Sequence, residues 1–94
     1  WNRPFIGPQL TQIASAIDVA DADAVIPAIS ALFARIGIPP TLSALGLSGD
    51  HIDWVAGEAC GIERLIQNNA RPIARADMVR LLTAAFTGDR SHIQ

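Results

Sequence analysis

Wherever apolar residues recur in this chain, they recur at helical spacing. Leu10, Ile13, Ala14 and Ile17 stand at i, i+3, i+4 and i+7, which puts them on one helical face. Pro8 begins that segment and Asp18 ends its pattern. Val25, Ile26, Ile29, Leu32, Phe33 and Ile36 repeat the spacing in a second, stronger segment. Asp21 or Asp23 is positioned to cap it, and Pro27 is tolerable only near its start. Gly37 supplies a left-handed stop before Ile38-Pro39-Pro40, which cannot continue a helix. No stretch of useful length alternates as a strand would.

The remainder follows the same rule. Residues 41–46 read as one short helical turn capped by Thr41, with Leu47 a buried plug behind it. Ser48 caps a third helix with Asp50 in its first turn, and Ile52, Val55, Ala56, Ala59 and Cys60 form its apolar face. Gly61 interrupts, and residues 62–66 make another turn or two. Residues 67–72 form a loop, since paired asparagines tolerate unusual φ and Pro72 forces Arg71 extended. A last helix runs from about Ala74 to Phe86 on a stripe of Met78, Leu81, Leu82, Ala85 and Phe86. Gly88 closes it and residues 89–94 fray. The predicted fold class is all-α, a small bundle of four to five helices forming one domain over residues 1–94. Leu32 and Leu82, mid-stripe, are expected in its core.

Composition narrows the function. At 94 residues the chain is one domain's worth, able to bury roughly 65% of its unfolded surface without disulfides. Its single cysteine, Cys60, excludes a disulfide framework or a cysteine-built zinc site within one chain. Half the residues are apolar and 17% charged, which excludes disorder. A net charge of −2 argues against nucleic acid or an anionic membrane as partner. No apolar stretch approaches the roughly 18 residues of a membrane-spanning helix. All seven basic residues are arginine, a bias that GC-rich bacterial coding produces. The mean hydropathy of +0.30 is high for so few charges, so part of the apolar surface is expected to meet a partner. The start at Trp1, with neither methionine nor a signal-peptide pattern, reads as a piece of a longer polypeptide.

The residues that could carry chemistry form no complete constellation. His51 and His92 have no partner at i+3 or i+4 and read as solvent-exposed. Cys60 lies near a helix C-terminus, where the dipole opposes a thiolate, and reads as packing. Glu58 with Glu63, or Asp50 with Asp53, have the spacings of any solvated helical face. Arg71, Arg75 and Arg80 suggest a basic patch, but nearby Asp77 favours local salt bridges over phosphate binding. No glycine-rich phosphate loop is present.

The order of two stretches is more specific. The first is Ala34-Arg35-Ile36-Gly37-Ile38-Pro39-Pro40-Thr41-Leu42, followed by Leu45-Gly46-Leu47 and a new helix. The second is Asn68-Asn69-Ala70-Arg71-Pro72-Ile73, leading into a helix that ends Leu82-Thr83-Ala84-Ala85-Phe86. Together they resemble the C-terminal end of the iron-containing alcohol dehydrogenase family, which includes the maleylacetate reductases. The opening Trp1-Asn2 resembles the Tyr-Asn that follows that family's last metal-binding histidine. Ala70 departs from the family's usual proline, and Phe86 stands where tryptophan or tyrosine is common.

The resemblance implies the C-terminal portion of a dehydroquinate-synthase-like, iron alcohol dehydrogenase helical domain in a two-domain cytoplasmic oxidoreductase. The full-length enzyme would use NAD or NADP, and Fe²⁺ or Zn²⁺ acting as a Lewis acid on the alcohol oxygen. Its metal-holding aspartate and three histidines would lie upstream of Trp1. This chain would then hold no metal, no catalytic residue and no cofactor-binding residue, and be inactive alone. Its partners would be the upstream part of the same enzyme and further copies in a homo-oligomer. By position, Leu65, Asn68 and Asn69 are the candidates to line the substrate cleft, although a plain helix-ending turn also accounts for them. The alternative for the whole chain is a stand-alone helical interaction or dimerisation module without catalysis. A glycine-rich nucleotide-binding turn and an Asp-x-x-x-His segment upstream would distinguish the two.

Overall fold

The computed structural model describes residues 1–93; Gln94, the end of the predicted fraying tail, lies outside the described residues. Five α-helices follow one another: α1 (Gly7–Ala16), α2 (Ala22–Arg35), α3 (Ile52–Cys60), α4 (Glu63–Gln67) and α5 (Arg75–Thr87). Short 3-10 turns at Arg3–Phe5 and Gly49–His51 precede α1 and α3, and no strand occurs among the described residues. The chain is all-α, as the apolar spacing requires. It divides into two compact units, residues 2–40 and residues 41–94 with Trp1.

The first unit is built by α1 and α2. Asp18 ends α1 by taking a left-handed backbone (φ 56°), which a short polar side chain tolerates better than most. Val19 N–H then reaches back to the Ala14 carbonyl at 3.0 Å. Asp21 is the cap of α2, its carboxylate accepting from Asp23 N at 2.9 Å and Ala24 N at 3.0 Å. An Arg3–Asp23 ion pair joins the opening turn to α2. Gly37 (φ 80°) stops α2, and Ile38 N–H donates to the Phe33 carbonyl at 2.9 Å, the six-residue bond of a Schellman ending.

Its core is smaller than the sequence stripe. Leu10, Ala14 and Val25 are buried, flanked by Ile6, Val19, Ala22 and Ile29. Leu32, expected in the core, is 42% exposed, and Ile26, Phe33 and Ile36 are exposed too. Length explains Leu32 and Ile36. Both continue the stripe of Val25 and Ile29, but α2 has 14 residues against the 10 of α1. At 1.5 Å per residue it outreaches α1 by about 6 Å. Ile26 and Phe33 lie roughly 80–100° around the helix from Val25, off the face that α1 covers. Ile13 and Ile17, the outer members of the α1 stripe, are exposed for the same want of a neighbour.

In the second unit α3 packs on α5. Ala56 of α3 and Ala84 of α5 are its buried residues. Ile52, Val55, Ala59 and Cys60 are half-buried beside Ala56, as the α3 stripe predicts. On α5, Met78, Leu81, Leu82 and Phe86 are half-buried. Ala85, expected on the buried stripe, is exposed, and its neighbour Ala84 takes the inner position. The inward face therefore keeps Met78, Leu81, Leu82 and Phe86 of the expected stripe and takes in Ala84 in place of Ala85.

Residues 41–47 form a hydrogen-bonded turn docked on the end of α5. Thr41 Oγ1 accepts from Ala44 N at 3.1 Å, which is the expected cap. Leu42 N–H donates to the Ala85 carbonyl at 2.9 Å, and Ser43 Oγ donates to the Phe86 carbonyl at 2.8 Å. Two of the carbonyls a helix end leaves without partners are thereby satisfied. Gly88 adopts φ 81° and donates to the Ala84 carbonyl at 2.8 Å. A Cβ added there would come within 3.3 Å of Thr41 Cγ2, so both backbone and space favour glycine. Beyond it the predicted fraying is replaced, as far as residue 93, by turns. Asp89 Oδ1 accepts from Ser91 N at 2.9 Å, and Ile93 N–H donates to the Arg90 carbonyl at 3.1 Å.

Candidate functional site

The three residues singled out from the sequence sit at the end of α4 and just after it. Ile62 and Glu63 start this five-residue helix immediately after Gly61 ends α3. Leu65 projects from it 57% exposed. Asn68 is the C-terminal cap; its side-chain amide donates to the Arg64 carbonyl at 2.7 Å. The side-chain amide of Asn69, half-buried, donates to the Arg71 carbonyl. The two asparagines thus have local backbone partners that fix the turn, while Leu65 offers an open apolar surface.

Arg71 extends the cluster to the first residue of the chain. Its guanidinium lies 3.6 Å from the centroid of the Trp1 ring, and its Nη1 donates to the Trp1 carbonyl at 3.3 Å. The Arg80 guanidinium stands 5.2 Å from the same ring and is paired with Asp77 at 2.6 Å. Trp1 Nε1 is buried without a hydrogen-bond partner among the described residues. A buried tryptophan N–H is usually paired, and leaving one unpaired costs about 1–3 kcal/mol. Two cations near the ring offset part of that, each worth about 0.5–1 kcal/mol when solvent-exposed and more when desolvated.

Among the three arginines that suggested a basic patch, two form salt bridges, of which only that of Arg80 is the local one expected with Asp77. Arg75 donates to the Asp53 carboxylate at 2.8 Å and carbonyl at 3.1 Å, joining α5 to α3, and Arg80 pairs with Asp77. The third, Arg71, lies over an aromatic ring and also acts at longer range on the Asp77 carboxylate. The ring contact escaped sequence reasoning because 70 positions separate the partners. The available signal was chemical and weak: a chain with only two tryptophans and seven arginines to lie over them.

Asp77 completes the electrostatics. Its carboxyl is held below the usual value by the hydrogen bond from Arg80, then by that from the Ala74 N–H at 3.1 Å, against a smaller opposing effect of burial. Asp89 is lowered chiefly by the Ser91 backbone N–H. A cavity of about 470 Å³ opens beside α5, lined by Arg80, Thr83, Ala84, Thr87, Asp89 and His92. Both threonine hydroxyls already donate to carbonyls one turn back, Val79 and Thr83, and Arg80 is engaged by Asp77. His51 and His92 are exposed, and Cys60 is a half-buried free thiol. Glu58, Glu63, Asp50 and Asp53 are exposed on their helices and turns. No three His, Cys, Asp or Glu side chains converge among the described residues, so the donor set here does not fit a metal ion. No helix among them is long and apolar enough to cross a membrane.

The sequence profile of the Fe-containing alcohol dehydrogenase family, C-terminal, matches residues 4–86. The chain belongs to this family. No curated protein and no solved structure matches it. The region matched to the iron-containing dehydrogenase family includes both motif stretches, the α4 helix with Leu65, and the Asn68–Asn69 turn. Trp1, which Arg71 grips, precedes the matched residues. The family consists of oxidoreductases, and this C-terminal domain is helical, in keeping with α1 to α5.

Proposed function

We propose that this chain is the C-terminal helical subdomain of an NAD(P)-dependent, metal-dependent oxidoreductase that moves hydride between an alcohol or aldehyde carbon and a nicotinamide. The family match over residues 4–86 carries this reading. It is favoured over a stand-alone interaction module because the match takes in nearly every element, including the otherwise unremarkable 41–47 turn. The metal ligands and the phosphate-binding turn belong to other parts of the enzyme, and no chemical step is routed through residues of this chain. A cytoplasmic, homo-oligomeric enzyme is the setting in which we place it.

Within that enzyme the chain supplies shape. Leu65 presents an aliphatic surface, and Asn68 and Asn69 fix the turn that carries the chain away from it. We assign this end of α4 to the wall of the substrate cleft, with Leu65 as its apolar contact. Two measurements test the assignment. The purified 94-residue chain, given NAD(H) or NADP(H), Fe²⁺ or Zn²⁺ and a panel of alcohols and aldehydes, should show no turnover; activity above background overturns the subdomain reading. In the enzyme that contains the chain, Leu65→Ala should raise KM for the alcohol about tenfold and leave KM for the nucleotide unchanged. Unchanged kinetics for every alcohol would remove Leu65 from the cleft.

A further inference from the structure

We propose that Arg71 is a positioning residue that couples Trp1 to the turn at residues 68–72. Each link in this coupling is local. The Asn69 side-chain amide donates to the Arg71 carbonyl, which fixes the backbone of the turn where Arg71 leaves it. The Arg71 side chain then engages Trp1 twice, through the ring at 3.6 Å and through the carbonyl at 3.3 Å. The two contacts need the planar guanidinium to lie over the ring while one of its N–H groups meets the backbone, a demand that a lysine ammonium does not satisfy. Trp1 Nε1 has no acceptor among the described residues, so the N–H does not anchor the indole. Arg71 supplies the nearer of the two cations on the Trp1 ring and the hydrogen bond to the Trp1 carbonyl. Arg80, at 5.2 Å and already paired with Asp77, is the weaker second cation.

The consequence is directional. A change in the backbone at Trp1 alters the turn that bears Asn68 and Asn69, while α3 and the interior of α5, held by their own packing and by the Arg75–Asp53 pair, stay as they are. The coupling stands whether or not that turn borders a substrate cleft.

The test uses the 94-residue chain in a Trp54→Phe background. Trp54 is 66% exposed and its removal leaves Trp1 as the sole indole. Arg71→Ala should red-shift Trp1 emission and increase its quenching by acrylamide. In the same variant, and in Trp1→Ala, amide hydrogen exchange at residues 69–73, Pro72 excepted, should accelerate about two- to fivefold, the factor equivalent to one lost cation–π contact. Exchange in α3 and in the middle of α5 should not change. Arg71→Lys, which preserves charge and is the milder substitution should Arg71→Ala fail to fold, should give the same turn-restricted acceleration. Unaltered Trp1 emission in both Arg71 variants would overturn the proposal. So would unaltered turn exchange in Trp1→Ala, or a uniform acceleration across all helices, because either shows that the turn does not respond to Trp1 specifically.

Discussion

Asp77 concentrates three jobs in one side chain: it sits in the first turn of α5, accepts from the Ala74 N–H at 3.1 Å, and pairs with Arg80 at 2.6 Å. Asp77 supplies half of a capping box; the alanine at the cap position has no side-chain acceptor to supply the other half. Its folded carboxyl is lowered from the ordinary 3.8, so folding favours the ionised form. The resulting stabilisation is complete at neutral pH, declines as acid protonates the group, and is gone below the folded value. Asp77→Ala should therefore melt at a lower temperature than the parent at pH 7. The gap should narrow steadily from about pH 5 downward. Thermal melts followed by circular dichroism across that range check this, and a gap independent of pH would assign the loss to something other than the carboxylate's charge.

The helices themselves were legible where local chemistry decides them. Gly37 and Gly88 mark ends that sequence alone identifies, the α2 cap was narrowed to Asp21 or Asp23, and Ser48 caps the 3-10 turn that leads into α3, because a cap or a left-handed residue acts within a few positions. The α3 stripe around Ala56 was legible for the same reason. What periodicity does not contain is the length of the neighbour. Leu32 has the spacing of a core residue and lies past the reach of α1, while Leu10 and Val25 are covered. Leu10→Ala should thus cost about 2–5 kcal/mol and Leu32→Ala less than about 1 kcal/mol in urea unfolding of this chain. Equal costs would mean that the far half of α2 is packed after all. The candidate site was legible in part: the Asn68–Asn69 turn follows from its residues, but the grip of Arg71 on Trp1 depends on the tertiary fold.

Only five hydrophobic side chains are buried among the described residues, and two of them are alanines of the second unit. Against them stand Ile26, Leu32, Phe33, Ile36 and Ile38 on and after α2, and Trp54, Ile62 and Leu65 around α3 and α4, all exposed. Burying apolar area is worth roughly 25 cal/mol per Å², and a specific contact needs on the order of 1,000 Å² in total. The isolated chain should self-associate with rising concentration in sedimentation, and Phe33→Glu or Leu65→Glu should weaken that association without loss of helicity. A monomer at millimolar concentration would remove the physical case for a covering partner. The end of α5 has a different consequence. Because the carbonyls of Ala85 and Phe86 hold Leu42 and Ser43, a cut near the tail of the chain is felt forty-odd positions earlier. A version ending at residue 84 loses the splint for residues 41–47, and subtilisin should nick it there while leaving the parent intact. A truncation that reaches the end of α5 is therefore also a change at residues 41–47.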